Sequence, residues 1–278
     1  MPVRPPETPP RFDPIFLTGD DLEDLTSFTG LSREACLERV RAFSSEELAE
    51  AWRRTDPKTP KEIVAFYGST DLYIWELMQW HASPARLPYW QALSRLVRHW
   101  PARAGWRRVL DFGCGVGTDG LYLATQGYDV TLVDVSGPTF EFAKHRFRRR
   151  GLVARFVESR SILPEPDAVY DVVVCFDVFE HLPDPAEAVR RLAAALRPMG
   201  ILVQVGQFGD DGHHPCHLHE NVERFGGLRW HIQLAGLGMR NAGHPLLYLK
   251  VAGAARLAQK LRFLTWRATG LWVVWTGR

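Results

Sequence analysis

Between Thr18 and about Trp100 the apolar residues recur every three or four positions, the spacing of helices that bury one face. Ser32 is placed to cap one helix, with Ala35 at its third position, so a full capping box is absent there. Ser44 or Ser45 opens another, with Glu46 and Glu47 in the first turn, where the helix dipole favours acids. Asp56-Pro57 and Thr59-Pro60 break the chain, an aromatic-rich stretch runs from Phe66 to His81, and a last helix after Pro88 ends near Pro101. Beyond Arg107 the pattern changes. Arg108–Phe112, Val130–Val135, Val172–Phe176 and Ile201–Val205 are short runs, apolar on both faces, as buried parallel strands are. Helical stretches over Thr118–Gln126, Pro138–Arg150 and Pro185–Leu196 separate them. The last is the best specified, with Asp184 as N-cap, Pro185 and Glu187 in the first turn, and Val189, Leu192, Ala193 and Leu196 along one stripe. Alternating β and α units of this length predict a right-handed, doubly wound α/β sheet.

Three segments follow from this pattern: a Pro-rich tail over 1–17, a helical N-terminal cap over 18–104, and an α/β domain over 105–278. The tail carries six prolines within residues 1–14 and is expected to be disordered. Near 246–269 the domain carries an insert that reads as an amphipathic helix with Lys250, Arg256, Lys260, Arg262 and Arg267, suited to covering a substrate pocket. A net charge of +2 is too little to argue for nucleic acid by charge alone, and no nucleic-acid partner is expected. The local run Lys144, His145, Arg146, Arg148, Arg149 and Arg150 reads as a solvated helix face. The four cysteines are widely spaced with no C-x-x-C pair, which suits a reducing cytoplasm. Neither an apolar leader nor an 18-residue apolar run is present, so neither export nor a membrane partner is expected.

The strongest chemical signal is Val109-Leu110-Asp111-Phe112-Gly113-Cys114-Gly115-Val116-Gly117-Thr118, a strand running through three alternate glycines into a helix. Glycine permits positive φ and close approach of a ligand to the backbone, and the helix start offers free N–H groups. Gly115-x-Gly117-x-x-Gly120 also satisfies the dinucleotide fingerprint, so a nicotinamide-dependent oxidoreductase stays open on the glycines alone. Asp111, ahead of the glycines, suits an ammonium group better than a pyrophosphate. Asp134, 17 residues after Gly117 at the end of the next strand, can accept both hydroxyls of a ribose. A nucleoside that carries an amino acid in place of phosphates needs that pair of acids, and S-adenosylmethionine is such a molecule.

A third piece lies past the following strand, Cys175-Phe176-Asp177-Val178-Phe179-Glu180-His181-Leu182-Pro183-Asp184. In order and spacing the three pieces resemble the class I S-adenosylmethionine-dependent methyltransferases, especially their small-molecule branch. The match rests on Leu110-Asp111-x-Gly113-Cys114-Gly115-x-Gly117, on Asp134 in Val133-Asp134-Val135-Ser136, and on Glu180-His181-Leu182, and it covers roughly residues 107–240. The resemblance implies a mostly parallel, Rossmann-like seven-stranded sheet ending in an antiparallel hairpin, with Leu271–Trp275 as its final strand. It implies that Asp111, Gly113, Gly115 and Gly117 hold the methionine part, Asp134 with Val135 the ribose side, and that Asp177 lies near the sulfonium. The family's acid after the third strand, which meets the adenine amine, is not plainly present; Glu158 or Ser159 takes its register. Tyr67 and Tyr73 of the helical layer are further cofactor contacts on this resemblance.

Methyl transfer from a sulfonium is an in-line displacement, and a base is needed only where the acceptor must lose a proton. His181 lies on the ligand edge of such a sheet, as do His213 and His214 in the cluster Asp210, Asp211, His213, His214, Cys216, His217, His219 and Glu220. His181, His213 and His214 are the candidate bases or acceptor-orienting groups. The cluster is cramped, Pro215 stiffens it and no second ligand group is evident elsewhere, so no metal is expected. The expected partner is a small molecule accepting on oxygen, nitrogen or carbon. A module that binds S-adenosylmethionine without catalysis would carry the same glycines and acids. A nucleic-acid methyltransferase would share them too, but its Pro-Pro-Tyr or Pro-Pro-Phe signature is absent beyond Asp177.

Overall fold

A computed structural model describes residues 17–159, 169–209 and 216–251. Six helices come first: α1 (Gly19–Thr29), α2 (Arg33–Ala42), α3 (Ser45–Thr55), α4 (Pro60–Ser69), α5 (Leu72–His81) and α6 (Leu87–His99). Their starts follow the capping chemistry. Ser32 accepts from the Ala35 N–H without a capping box, whereas Ser44 with Glu47 and Thr59 with Glu62 form complete ones.

The sheet follows, with β1 (Arg108–Phe112), α7 (Thr118–Thr125), β2 (Asp129–Val135), α8 (Pro138–Arg149), β3 (Arg155–Ser159), β4 (Tyr170–Phe176), α9 (Pro185–Ala195), β5 (Leu196–Val205), α10 (His219–Phe225), α11 (Leu228–Gly236), β6 (Met239–Asn241) and β7 (Leu247–Lys250). Its seven strands lie in the order β3-β2-β1-β4-β5-β7-β6; the first five run parallel, and β7 is antiparallel to both β5 and β6. The doubly wound α/β expectation and the antiparallel last hairpin are therefore met. Among the described residues the antiparallel strand beside β5 is β7 at Leu247–Lys250, inside the stretch expected to begin a helix, because Leu247 and Tyr248 bury against β5. Leu271–Trp275 and the rest of the 246–269 insert lie outside the described residues, as does the Pro-rich tail up to residue 16.

Alternate strand residues feed opposite cores. Val109, Val130, Leu132, Val172, Val174, Ile201 and Val203 pack with Leu93 and Leu96 of α6 and with Phe140 and Phe147 of α8. Leu110, Val133, Val173, Cys175 and Leu202 pack with Val189 and Leu192 of α9 and with Trp230 and Leu234 of α11. A third core belongs to the first five helices, with Leu25, Val40, Trp52, Phe66, Trp75 and Met78, and it takes in Val116 from the glycine turn and Phe142 from α8.

The basic run on α8 is not the solvated face its composition suggests. Arg146 is only 1% exposed, and its guanidinium donates to Asp21 at 2.8 Å and Asp24 at 3.0 Å on α1. The same guanidinium reaches the Val116 carbonyl at 2.7 Å and the Thr118 hydroxyl at 2.8 Å. Arg149 and Arg150 complete the cluster around Asp24, which is fully buried. A charged run at helical spacing packs inward when acids from another element meet it, since a buried ion needs a partner. Here the run fastens α1 to α8 and, through Arg146, to the glycine turn.

Candidate active site

The turn after β1 is built on backbone geometry. The Gly113 N–H donates to the Val133 carbonyl at 2.8 Å, anchoring the turn to β2. Gly113 has φ 67°, and a Cβ there would lie 2.3 Å from Val178; Gly115 has φ 53°, and a Cβ there would lie 2.5 Å from Leu77 of α5. Gly117, also left-handed, caps α7. The turn is thus held between the segment after β4 and a cap helix, with room for backbone and none for side chains.

Asp134 ends β2 and accepts from the Gly115 N–H at 2.6 Å and from its neighbour Val135 at 2.7 Å. Two bonds leave lone pairs for further donors, because an ionised carboxylate offers about four sites. Burial pushes its carboxyl up to about 6, against those two backbone bonds. Asp111 sits deeper than the sequence suggests. It is 3% exposed, beneath the turn, with Oδ2 3.0 Å from where a Gly120 Cβ would stand. Burial, Asp119 and Asp134 raise its carboxyl well above the usual range.

Asp177 follows β4 with φ 53°, an uncommon backbone for a residue other than glycine and a frequent mark of functional sites. The Tyr89 hydroxyl donates to it at 2.8 Å and the Gln207 amide at 3.2 Å. Burial raises its carboxyl, opposed by the Arg86 charge and these donors. Arg86 is itself buried and holds both oxygens of Asp119, at 2.9 and 2.7 Å. Tyr89, Gln207 and Arg86 belong to no motif, and no sequence signal marks them, because their tasks arise only from packing.

His181 stands in a short 3₁₀ turn beyond Asp177. Its Nδ1 lies 3.1 Å from the Cys216 carbonyl and 3.0 Å from the Tyr67 hydroxyl. A carbonyl only accepts, so Nδ1 is the ring nitrogen that donates there. Tyr73 donates to the Cys216 thiol at 3.6 Å, and its ring lies 5.3 Å from that of Tyr67. Tyr67 and Tyr73 thus meet on the His181 side of the cleft. One ligand atom from each of Glu180, His181 and His217 falls within 4.8 Å of the others. The second ligand group missing from the sequence pattern is therefore supplied by the fold, which brings Glu180 and His181 to the histidine-rich segment. Burial and the Asp177 charge raise the Glu180 carboxyl well above its usual range. Glu158 and Ser159 end β3 beside Asp134 and Val135 in register, with the exposed Glu158 carboxylate 2.9 Å from Lys144. His213 and His214 lie outside the described residues.

A model of the methyltransferase domain family matches residues 79–245, more than half of the chain. The chain belongs to the class I S-adenosylmethionine-dependent methyltransferases. Relatives include the ubiquinone biosynthesis O-methyltransferase of Rickettsia akari, 28% identical over 44% of this chain and 47% of that protein. The same-named enzyme of Bordetella pertussis is 35% identical over 36% of this chain and 46% of its own. The chain spans about half the length of the curated relatives it matches. Among solved structures, a SAM-dependent methyltransferase from Aquifex aeolicus has a TM-score of 0.45 at 20% identity, covering 61% of this chain and 94% of that one.

The site of this methyltransferase fits the family's cofactor. Acids Asp111, Asp134 and Asp177 lie about the turn, while Arg86, whose charge acts on Asp111 and Asp177, is held by Asp119. One Asp111 oxygen, Oδ2, is buried without a well-formed hydrogen bond. The nicotinamide cofactor that the glycine spacing admits falls away because the matching family model is of a methyltransferase domain.

Proposed function

We propose that this methyltransferase carries the methyl group of S-adenosylmethionine to a hydroxyl oxygen of a small molecule, with His181 taking the acceptor proton. The observation that carries the reading is the orientation of His181: Nδ1 lies beside the Cys216 carbonyl at 3.1 Å and the Tyr67 hydroxyl at 3.0 Å, which holds the imidazole just beyond Asp177. The O-methyltransferase names of the two relatives support an oxygen acceptor.

The cofactor supplies an activated methyl group on a sulfonium. Gly113, Gly115 and Gly117 present bare backbone to its methionine part. Asp111 acts from beneath that turn, and Asp177 faces the sulfonium side. Asp134, with Val135, accepts the ribose hydroxyls, and Glu158 or Ser159 meets the adenine. Tyr67 orients His181, and Tyr73 packs beside it to close the cleft. His213 and His214, close before Cys216 in sequence, belong to the same proposal as acceptor-orienting groups. Four buried, free cysteines support work in a reducing cytoplasm. Among the described residues no helix is long and apolar enough to cross a membrane.

His181→Ala should lower turnover by about 10²–10⁴-fold with affinity for S-adenosylhomocysteine unchanged. Full turnover in that variant would return His181 to a structural role. A second reading is favoured by the convergence of Glu180, His181 and His217 within 4.8 Å. A divalent cation there would polarise the acceptor oxygen in place of an imidazole base. Loss of activity on dialysis against EDTA, restored by zinc or magnesium, would select that reading; unchanged activity would select the base.

A further inference from the structure

Helix α5 has two faces with different tasks. Ile74, Trp75 and Met78 bury into the core of the first five helices. Tyr73, Glu76, Leu77 and Trp80, spaced at i, i+3, i+4 and i+7, form a stripe toward the sheet. Contacts along the stripe run from the Cys216 thiol past the glycine turn to Tyr89. Tyr73 touches Cys216 and the Tyr67 ring; Leu77 sits where a Gly115 side chain would go; Trp80 packs edge-on against Tyr89 at 6.0 Å, and Tyr89 holds Asp177.

Glu76 lies between these contacts, partly buried, and takes no hydrogen bond or ion pair from any described residue. Asp134 has two backbone donors and Asp177 a phenol and an amide. Glu76 has none. The groups that sense it are Tyr67 of α4, Tyr73 of its own helix and the Cys216 thiol ahead of α10, while the charge that acts on it is that of Asp177 beyond β4. Burial and that like charge push its carboxyl up to about 7. A buried carboxyl without a donor, under the charge of another acid, is stabilised in its ionised form when a cation comes beside it.

S-adenosylmethionine is positive at sulfur, and its demethylated product is neutral there, while both keep the same ribose, adenine and amino-acid ends. We propose that Glu76, on the stripe of α5 that sets Leu77 against Gly115 and Trp80 against the Tyr89 that holds Asp177, holds the sulfonium charge and makes the site distinguish the charged cofactor from its uncharged thioether product. The inference rests on the cofactor placement given above. It gives the cap a chemical task in addition to a steric one: α5 is attracted to the cleft while the methyl donor is loaded, and that attraction ends when the charge is lost.

Isothermal titration of the full chain and of Glu76→Gln with S-adenosylmethionine, S-adenosylhomocysteine and sinefungin, which bears an amine at the sulfonium position, tests this. The Gln variant should lose about tenfold in affinity for the two cationic ligands and stay within about twofold for the thioether, the pattern of one missing ion pair. Equal losses for all three, or no loss, would overturn the proposal. A wild-type chain that binds none of the three would instead overturn the cofactor placement, so the two failures are distinct. Because the Gln variant could alter packing, the wild type gives an independent measurement. Its preference for S-adenosylmethionine over the thioether should rise with pH through about 7, as Glu76 ionises. Asp134 serves both ligands and cancels in that ratio, and any part of the rise that belongs to Asp177, whose carboxyl burial also raises, is the part that Glu76→Gln retains. A flat ratio would count against Glu76.

Discussion

The two walls of the cleft are made in different ways. The sheet wall is short-range: Asp111 to Thr118 form one turn, and Asp134 closes on that turn through the Gly115 amide at 2.6 Å. Its polar groups are mostly backbone, and its geometry follows from glycines that accept left-handed φ. The other wall gathers Tyr67, Glu76, Tyr89, Asp177, His181 and Cys216 from five separate stretches of chain; hydrogen bonds of 2.8–3.1 Å join Tyr89 to Asp177 and His181 to both Tyr67 and the Cys216 carbonyl, while Glu76 takes none from a described residue. A wall made of backbone suits the invariant part of the ligand, while one made of side chains can be adapted to an acceptor. The two are fastened by Arg146, which bonds Asp24 in the cap and the Val116 carbonyl in the turn.

Three perturbations separate the walls. The largest effect should come from Asp24→Ala, which leaves the Arg146, Arg149 and Arg150 cluster without its central carboxylate. Removing one partner of a buried ionic network costs about 3–5 kcal/mol, and chemical denaturation should show the loss. Stability within about 1 kcal/mol of wild type would mean that apolar packing alone holds the cap. Next is Asp134→Ala, expected to cost about 100-fold in S-adenosylhomocysteine affinity while the fold persists, on the scale of two charge-assisted hydrogen bonds. Unchanged affinity by calorimetry would sink the ribose assignment and make Asp134 only a brace for the turn. The smallest is Gly113→Ala, which meets Val178 at 2.3 Å with φ 67°. It should destabilise by about 1–3 kcal/mol, and Val178→Ala should recover the steric part but leave the backbone strain. Additive losses in that double variant would show that the two residues do not meet.

Much of the sheet wall was legible from residue order. Strands apolar on both faces, the alternate glycines and the two acids are local patterns, and local patterns survive without knowledge of the fold. Legibility failed where a local pattern admits two partners. The arginines of α8 have the composition of a solvated face, and only the approach of Asp21 and Asp24 from more than a hundred residues away turns them inward. Leu247–Lys250 reads as the start of a helix, and pairing with the edge of β5 makes it a strand, since an open edge rewards any extended apolar segment that reaches it.

The sequence by itself determined the β-α alternation, the capped helices, the glycine turn and the placing of Asp134 at the end of its strand, all of which depend on neighbours within about twenty residues. Only the tertiary structure decided that Asp111 lies beneath the turn, that Nδ1 of His181 meets Tyr67 and the Cys216 carbonyl, and that Glu76 is partly buried beside the glycine turn without a donor among the described residues. The reason is the range of the forces involved. Backbone conformation is set by local sterics and hydrogen bonding, whereas the protonation and purpose of a buried polar group depend on which distant side chains share its low-dielectric surroundings.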